Sequence, residues 1–134
     1  MQIAEILGYK GVGVIALRSD TAMSEAALLL SEQAIGVAVV VDADDFMCGI
    51  LSERDITRGL AQHGATVAQM RVEDLMTRDV VSCNPDCTVD DALALMRKHN
   101  IRHLPVIEEE THLIALISMR DLLDLEKEDL REAS

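Results

Sequence analysis

The segment Ser52-Glu53-Arg54-Asp55 returns later in the chain as Ser118-Met119-Arg120-Asp121, and both copies follow an apolar stretch. They end a longer match, in which residues n and n+66 align without a gap from Val14/Val80 to Asp55/Asp121. Nine of the 42 aligned pairs are identical: Val14/Val80, Asp20/Asp86, Ala26/Ala92, Leu29/Leu95, Ile35/Ile101, Val40/Val106, Ser52/Ser118, Arg54/Arg120 and Asp55/Asp121. A repeat of this length is typical of a supersecondary unit that buries its apolar face against its own copy.

The repeat divides the chain of 134 residues into two parts. We assign residues 1–66, with a core at 7–62, to the first repeat and residues 67–134, with a core at 73–126, to the second. A chain of this size buries roughly two-thirds of the surface that it exposes when unfolded, so we expect the repeats to share one core. The charged segment 126–134 is interpreted as a solvated helical extension or a frayed end, with a contact between subunits as the alternative.

Each repeat shows the signals of a β-α-β-β-α unit, and they are clearest in the second. The residue before a proline avoids the helical region, so Asn84-Pro85 should end a first strand. Thr88 and Asp91 form a capping-box pattern at a helix start, and Asn100 is expected to end that helix. The predicted elements are the strand Val80–Cys83, the helix from Thr88 with an apolar face of Val89, Ala92, Leu93 and Met96, the strands Leu104–Ile107 and Leu113–Ile117, and a helix from Ser118 to about Leu125.

The first repeat predicts the same order of elements: strand Val12–Leu17, helix Met23–Gln33, strands Val37–Val41 and Phe46–Leu51, and helix Glu53–Gln62. The segment Val67–Met76 has apolar residues at helical spacing and is expected to form a short helix. By the same offset, Ile3–Leu7 is its counterpart. The predicted fold class is therefore α/β, with two pseudo-symmetric repeats.

The acidic composition argues against nucleic acid as a partner. The chain has 12 Lys and Arg against 24 Asp and Glu, which gives a net charge of −12. This charge opposes binding to a phosphate backbone. Aromatic residues that could stack on single strands are scarce, since Tyr9 and Phe46 are the only two. A small phosphate ligand stays compatible with the composition if basic residues cluster locally.

The sequence predicts a cytoplasmic protein without a membrane partner. Its longest apolar run, Ala34–Val41, is far shorter than the ~20 residues that cross a membrane, and its N-terminus has no basic leader of the kind that precedes a secretion signal. Cys48, Cys83 and Cys87 form no C-x-x-C pair and leave an odd thiol, which favours a reducing compartment. We interpret them as small core or loop residues.

The Ser-x-x-Asp motif after an apolar strand has two interpretations. As a helix cap, the Ser accepts a hydrogen bond from the third helical amide and the Asp accepts one from the cap amide. As a binding site, the amides and dipole of the helix start favour an anion, the Arg adds positive charge, and the carboxylate can accept both hydroxyls of a ribose. Duplication does not decide between them, because an inherited cap is duplicated as well.

The order of strand, helix, Leu-Pro-Val strand, polar turn, apolar strand and Ser-x-x-Asp, present twice, resembles a tandem pair of cystathionine-β-synthase (CBS) domains, or Bateman module, of the stand-alone bacterial or archaeal type. The resemblance covers about residues 7–126. It is strong in the second repeat, through Asn100-Ile101-Arg102-His103-Leu104-Pro105-Val106 and Leu116-Ile117-Ser118-Met119-Arg120-Asp121. In the first repeat it rests on Gly49-Ile50-Leu51-Ser52-Glu53-Arg54-Asp55-Ile56.

This resemblance implies that the repeats pack sheet against sheet and leave two clefts for adenosine ligands such as AMP, ADP, ATP, NAD or S-adenosylmethionine. It implies ribose binding by Asp121 and Asp55, and phosphate binding by Arg102 and His103. The implied cleft of Asp121 also contains Ser118, Arg120, Val12, Gly13, Val14, Ile35 and Gly36. The implied cleft of Asp55 also contains Ser52, Arg54, Arg78, Asp79, Val80, Ile101 and Arg102.

The two copies depart from the family pattern to different degrees. In the first repeat, Ala38-Val39-Val40 stands at the Leu-Pro-Val position, and Gly36-Val37 replaces the basic pair Arg102-His103. In the second, Ala115 replaces the usual Gly, which is a small change. We therefore expect the stronger nucleotide cleft to be the one that holds Asp121.

The sequence predicts neither a metal site nor catalysis. His99 and His103 lie four apart, but Asn100 and Pro105 oppose a continuous helix between them, and no third ligand has suitable spacing. The chain has no nucleophile elbow and no glycine-rich phosphate loop. We therefore expect no catalytic residues and no obligatory cofactor.

The functional hypothesis is an adenosine-nucleotide sensor in which the ligand alters the packing of the repeats or of a homodimer, and so signals to another protein. Alternatives are a ligand-free oligomerisation or adaptor scaffold, in which both Ser-x-x-Asp motifs are only caps, and a nucleotide hydrolase.

Overall fold

A computed structural model describes residues 1–5, 15–109 and 112–133, with the backbone alone for 128–133. The chain forms two compact units, one of Ile15–Val80 and the other of Met1–Val14 together with Val81–Ser134. Each unit combines strands with helices, so the predicted α/β class with two repeats is confirmed.

The unit Ile15–Val80 is built on a three-stranded sheet. Its strands are β1 (Ala16–Arg18), β2 (Val37–Val41) and β3 (Met47–Ser52), in that order, with β1 parallel and β3 antiparallel to β2. Its helices are α1 (Met23–Glu32), α2 (Glu53–His63), a 3-10 helix (Gly64–Gln69) and α3 (Val72–Leu75). The core of this unit consists of Leu17, Met23, Ala26, Leu30, Ala38, Val40, Leu51, Val72 and Met76.

The other unit contains α4 (Val89–His99), the antiparallel pair β4 (His103–Glu108) and β5 (His112–Ser118), and α5 (Met119–Ala133). Its core consists of Ile3, Cys83, Val89, Ala92, Leu93, Met96, Leu104, Val106, Ala115, Ile117 and Leu122. The predicted apolar face of α4 is thus buried. Thr88 caps this helix, because its hydroxyl accepts a hydrogen bond from the amide of Asp91 at 3.1 Å.

The repeat extends to details of the backbone. The β2–β3 pair has a register shift between Val40 and Val41, and the β4–β5 pair has the same shift between Val106 and Ile107. After α1 and α4 the chain turns through left-handed residues, Ala34 (φ 54°) and Asn100 (φ 53°), which are counterparts in the two repeats. Asn tolerates this conformation better than Ala does, which makes Asn100 the better helix end.

The predicted strand Val80–Cys83 is wrong, because that segment forms a single parallel bridge between Cys83 and Val106. In the first repeat, the corresponding strand β1 pairs with β2 over three residues. The pairing continues one step further, because the amide of Ser19 donates to the carbonyl of Val41 at 3.0 Å. Pro85 and Pro105 are the counterparts of Ser19 and Val39 in the second repeat. Neither proline has an N–H to donate, so the ladder is shortened on both sides of Cys83.

The segments that precede the two repeats are exchanged between the compact units. The amide of Met23 donates to the carbonyl of Met70 at 2.8 Å, and that of Val89 donates to Met1 at 2.9 Å. Met1 thus corresponds to Met70 and not to Val67, so the alignment predicted for these segments is wrong by three positions. The boundary predicted between residues 66 and 67 thus falls inside the compact unit Ile15–Val80.

Two predicted helices have other bounds. The segment Val67–Met76 is split into the 3-10 helix and α3, because Met70 and Arg71 are extended and Arg71 forms a bridge with Ala22. Helix α5 runs to Ala133 and passes the end predicted at about Leu125, since residues 119–133 contain neither Gly nor Pro. Residues 3–5 are helical, and the rest of Ile3–Leu7 lies outside the described residues, as do residues 12–14 of the predicted first strand.

Candidate functional site

The first Ser-x-x-Asp motif forms a complete capping box at the start of α2. The hydroxyl of Ser52 accepts from the amide of Asp55 at 3.3 Å, and Oδ2 of Asp55 accepts from the Ser52 amide at 2.9 Å and from the Ser52 hydroxyl at 3.2 Å. Asp55 is 3% exposed. In the first repeat, the motif therefore acts as a helix cap.

The second oxygen of the Asp55 carboxylate also has protein partners. Oδ1 accepts from the Thr77 hydroxyl at 3.2 Å and lies 3.4 Å from the guanidinium of Arg58, one turn further along α2. A buried carboxylate needs such donors, because an unpaired charge in the protein interior is costly. Both residues were missed by the sequence analysis.

At the second motif, the hydroxyl of Ser118 accepts from the amide of Asp121 at 3.1 Å, as Ser52 does for Asp55. Unlike the buried Asp55, Asp121 is partly exposed. This difference in exposure separates two motifs that have the same Ser, Arg and Asp.

The first amide of each of these two helices also donates a hydrogen bond to a backbone carbonyl. The amide of Glu53 donates to the carbonyl of Gly36 at 2.9 Å, and the amide of Met119 donates to that of Arg102 at 2.7 Å. The first and third amides of both helices thus already have acceptors, so fewer amides at these helix starts can donate to an anion. Any phosphate would depend mainly on basic side chains.

Two cationic candidates lie beside the second motif. His103 begins β4 and pairs across the sheet with Ser118, and Arg102 precedes it with an exposed side chain. Burial lowers the pKa of His103 below its usual 6.5; the carboxylate of Asp121 raises this pKa, and Arg102 lowers it further. The pairing of His103 with Ser118 and the hydrogen bond from the Met119 amide to Arg102 place Arg102 and His103 at the turn of Asp121, and these three residues are called the Asp121 cluster.

The other predicted site residues are distributed over both units. Ser118, Arg120, Asp121, Ile101, Arg102 and His103 belong to the unit of α4 and α5, whereas Ser52, Arg54, Asp55, Arg78, Asp79, Val80, Ile35 and Gly36 belong to the unit of α1 and α2. The guanidinium of Arg78 donates to the carbonyl of Glu73 at 3.1 Å. Val12, Gly13 and Val14 lie outside the described residues. The assignment of Ile35 and Gly36 to the cleft of Asp121, and of Ile101 and Arg102 to that of Asp55, stays a prediction.

Burial raises the pKa of the Cys83 thiol to about 12, with a further increase from Cys87, so this thiol stays protonated at neutral pH. Among the described residues, no group of three or more His, Cys, Asp or Glu is arranged to hold a metal ion. No helix in the described parts of the chain is both long and apolar enough to cross a membrane.

The sequence pattern of the CBS domain matches this chain twice, over residues 12–62 and 72–128. The chain belongs to the CBS domain family. The matched ranges include both Ser-x-x-Asp motifs and the strands that precede them, so the chain is a pair of CBS repeats.

Relatives of known sequence include proteins of quite different length. A 17.7 kDa protein of Acidianus ambivalens is 34% identical over 109 residues, which cover 81% of this chain and 65% of that protein. An inosine-5'-monophosphate dehydrogenase of Methanocaldococcus jannaschii is 33% identical over 114 residues, covering 85% of this chain and 22% of the enzyme. The chain thus spans just under two-thirds of the first relative and less than a quarter of the second.

Solved structures with the same fold are CBS domain proteins. The CBS-domain containing protein ATU1752 from Agrobacterium tumefaciens is 34% identical with a TM-score of 0.85, over 94% of this chain and 99% of that one. The CBS domain pair of protein MJ0100, solved in complex with 5'-methylthioadenosine and S-adenosyl-L-methionine, is 26% identical with a TM-score of 0.81, over 96% and 98%.

Proposed function

We propose that this CBS pair binds an adenosine-containing ligand at the turn of Asp121 and acts as a sensor. The observation on which the proposal rests is the geometry of the Asp121 cluster, in which a partly exposed Asp121 starts the helix that His103 and Arg102 contact through Ser118 and Met119. The MJ0100 domain pair, which binds two adenosine compounds, supports the choice of ligand class.

The chemistry of the cluster fits the parts of a nucleotide. A carboxylate can accept hydrogen bonds from both hydroxyls of a ribose, and a guanidinium or an imidazole N–H can donate to phosphate. Because the chain has a net charge of −12, a phosphate needs local positive charge, and Arg102 supplies it. Burial lowers the pKa of His103, so its imidazole is neutral at neutral pH and can donate one hydrogen bond to the phosphate. The ligand class therefore includes AMP, ADP, ATP and NAD, with S-adenosylmethionine as the cationic alternative.

A sensor needs a ligand that binds two arrangements of the protein with different affinity. We infer that the ligand changes the packing of the repeats or of a homodimer, and that a separate cytoplasmic target protein responds to this change. Catalysis is not part of the proposal, since adenosine binding and population shift are sufficient for signalling.

Isothermal titration calorimetry with adenosine, AMP, ATP, NAD and S-adenosylmethionine tests the proposal. Asp121→Ala should weaken the best ligand by about 1–3 kcal/mol, which is the usual contribution of a hydrogen bond to a charged group. Asp124→Ala, which removes an exposed carboxylate one turn further along α5, is the matched control and should leave the affinity unchanged. Equal affinities of the wild type and Asp121→Ala would overturn the assignment.

The complete capping box of Ser52 and Asp55 favours a second candidate, a ligand-free scaffold in which both motifs act as caps. This candidate predicts no heat and no thermal shift with any of the five ligands. It also predicts that Asp121→Ala keeps its affinity for a partner protein.

A further inference from the structure

Two of the three cysteines lie side by side in the unit of α4 and α5. The thiols of Cys83 and Cys87 are close enough to share a hydrogen bond. The residues between them form a tight turn, in which the amide of Cys87 donates to the carbonyl of Asn84 at 3.1 Å and the amide of Asp86 donates to Oδ1 of Asn84 at 2.9 Å. This turn brings the two sulfur atoms together, as the formation of a disulfide requires.

The backbone holds both cysteines in place. The amide of Cys83 donates to the carbonyl of Pro105 at 3.0 Å, and its carbonyl accepts from the amide of Ile107 at 2.9 Å, so Cys83 is fixed to β4. The carbonyl of Cys87 accepts from the amide of Ile3 at 2.8 Å. The contact between the two thiols is therefore a property of the fold around them.

The same turn holds the N-terminal segment through two hydrogen bonds. The amides of Ile3 and Ala4 donate to the carbonyls of Cys87 and Pro85 at 2.8 and 2.9 Å. Both carbonyls belong to the loop 83–87, which a disulfide would close. A closed loop has fewer open conformations, so its closure should keep these two acceptors in position for longer.

The two thiols differ in their readiness to react. Burial raises the pKa of the Cys83 thiol to about 12, and the neighbouring Cys87 adds to this increase. Burial, followed by the negative charge of Asp91, raises the pKa of Cys87, whereas the hydrogen bond with Cys83 lowers it. Because the thiolate is the attacking species, the partly exposed Cys87 should react first and the buried Cys83 second.

We propose that Cys83 and Cys87 form a reversible disulfide within the chain, and that this disulfide fixes the N-terminal segment to the unit of α4 and α5. The inference goes beyond the proposed function, because neither cysteine belongs to the Asp121 cluster. Disulfides in a reducing compartment are typically transient and sense the redox state, so a reversible one agrees with the compartment that the sequence predicts.

The oxidant in this proposal is a low-molecular-weight disulfide, RSSR. Cys87 loses its proton, and its thiolate attacks one sulfur of RSSR, which forms a mixed disulfide and releases RS⁻. Cys83 then loses its proton and attacks Sγ of Cys87, which forms the second disulfide and releases the other RS⁻. The two RS⁻ take up the two protons, so the cysteines are oxidised while RSSR is reduced to two RSH. Excess RSH reverses both steps.

The first repeat contains the same two backbone hydrogen bonds without the thiols. The amides of Val72 and Glu73 donate to the carbonyls of Thr21 and Ser19, each at 2.9 Å. Leu17 and Thr21 stand at the positions of the two cysteines in this repeat, and neither can form a disulfide. The chain therefore contains its own control for any effect of oxidation on the N-terminal segment.

Thiol counting in a series of glutathione redox buffers tests the disulfide. Free thiols are alkylated, and mass spectrometry of the chain and its peptides identifies the others. Oxidation of the wild type should remove two of the three thiols together and join Cys83 to Cys87, and dithiothreitol should restore both. Cys48→Ser is the matched control and should form the same disulfide, since the Cys48 thiol donates to the carbonyl of Val40 at 3.6 Å. Three free thiols, a lasting glutathione adduct, or a disulfide that involves Cys48 or a second chain would overturn the proposal.

Hydrogen exchange tests whether the disulfide fixes the N-terminal segment. The amides of Ile3 and Ala4 should exchange more slowly in the oxidised chain, by up to about 30-fold, which is the loop-closure entropy of five residues expressed as an equilibrium constant. The amides of Val72 and Glu73 should exchange equally in both forms. In Cys87→Ser, the oxidant should leave all four rates unchanged. Equal rates for Ile3 and Ala4 in the oxidised and reduced wild type would overturn this part of the proposal, even if the disulfide forms.

Discussion

The amide of Ile3 donates to the carbonyl of Cys87 at 2.8 Å, and this bond joins the N-terminal segment to the loop before α4. The Ile3 side chain is fully buried in the core of that unit. Val72, the counterpart of Ile3, donates to the carbonyl of Thr21 at 2.9 Å and is equally buried in the other unit. The segment before the first repeat thus packs into the unit of α4 and α5, and the segment before the second repeat packs into the unit of α1 and α2.

Ile3→Ala should lower the free energy of unfolding by about 2–5 kcal/mol, because it leaves a cavity in a packed core. Chemical denaturation followed by circular dichroism measures the change. Leu28→Ala is the control, since Leu28 is 57% exposed and its truncation should have little effect. A small loss for Ile3→Ala would mean that the N-terminal segment contributes little to this unit.

Gly49→Ala should destabilise the unit that contains Asp55 by about 1–3 kcal/mol, since the added Cβ collides with the backbone of Thr77. Gly36→Ala is the matched control, because a Cβ at Gly36 would lie 3.6 Å from the side chain of Glu53, which is an ordinary van der Waals contact. Thermal unfolding of both variants should therefore show a lower melting temperature for Gly49→Ala alone. Equal melting temperatures would contradict the close approach of Thr77 to β3.

Most of the fold could be predicted from local signals. The apolar spacing of α4, its Thr88 cap and its end at Asn100 are all properties of neighbouring residues. The strand expected before Pro85 failed for a non-local reason, because its ladder also needs an N–H from position 105, and Pro105 has none. The exchanged segments were misaligned by three positions, since few identities mark their true correspondence.

The site could be predicted only in outline, because both motifs have the same Ser, Arg and Asp. One hydrogen-bond partner of Asp55, Thr77, is distant in the sequence, and no local pattern connects the two. The Asp55–Arg58 spacing of three residues on a helix was a usable signal for an ion pair. The motif alone thus does not reveal that Asp55 is buried and Asp121 partly exposed.

Folding stability should fall as the pH is lowered below 6.5, in part because burial lowers the pKa of His103 in the folded state. The unfolded chain then binds the proton more readily, so the contribution of neutral His103 is complete above 6.5 and is lost as the pH falls through the lower folded pKa. His103→Gln should reduce the difference between urea midpoints at about pH 7.5 and about pH 5.5. His63→Gln, at an exposed position in α2, should not. An unchanged difference in His103→Gln would remove His103 as the cause.

Arg102→Ala should weaken AMP binding more than adenosine binding, because its guanidinium is assigned to the phosphate and Asp121 to the ribose. Arg102 is exposed, so the expected loss for AMP is about 1 kcal/mol, or roughly fivefold, and it should shrink as salt screens the charge. Calorimetry at low and high ionic strength measures both ligands, with the exposed Arg97→Ala as the control for net charge. Equal losses for AMP and adenosine would assign Arg102 to the nucleoside, and the phosphate would then have to be bound by His103 or Arg120.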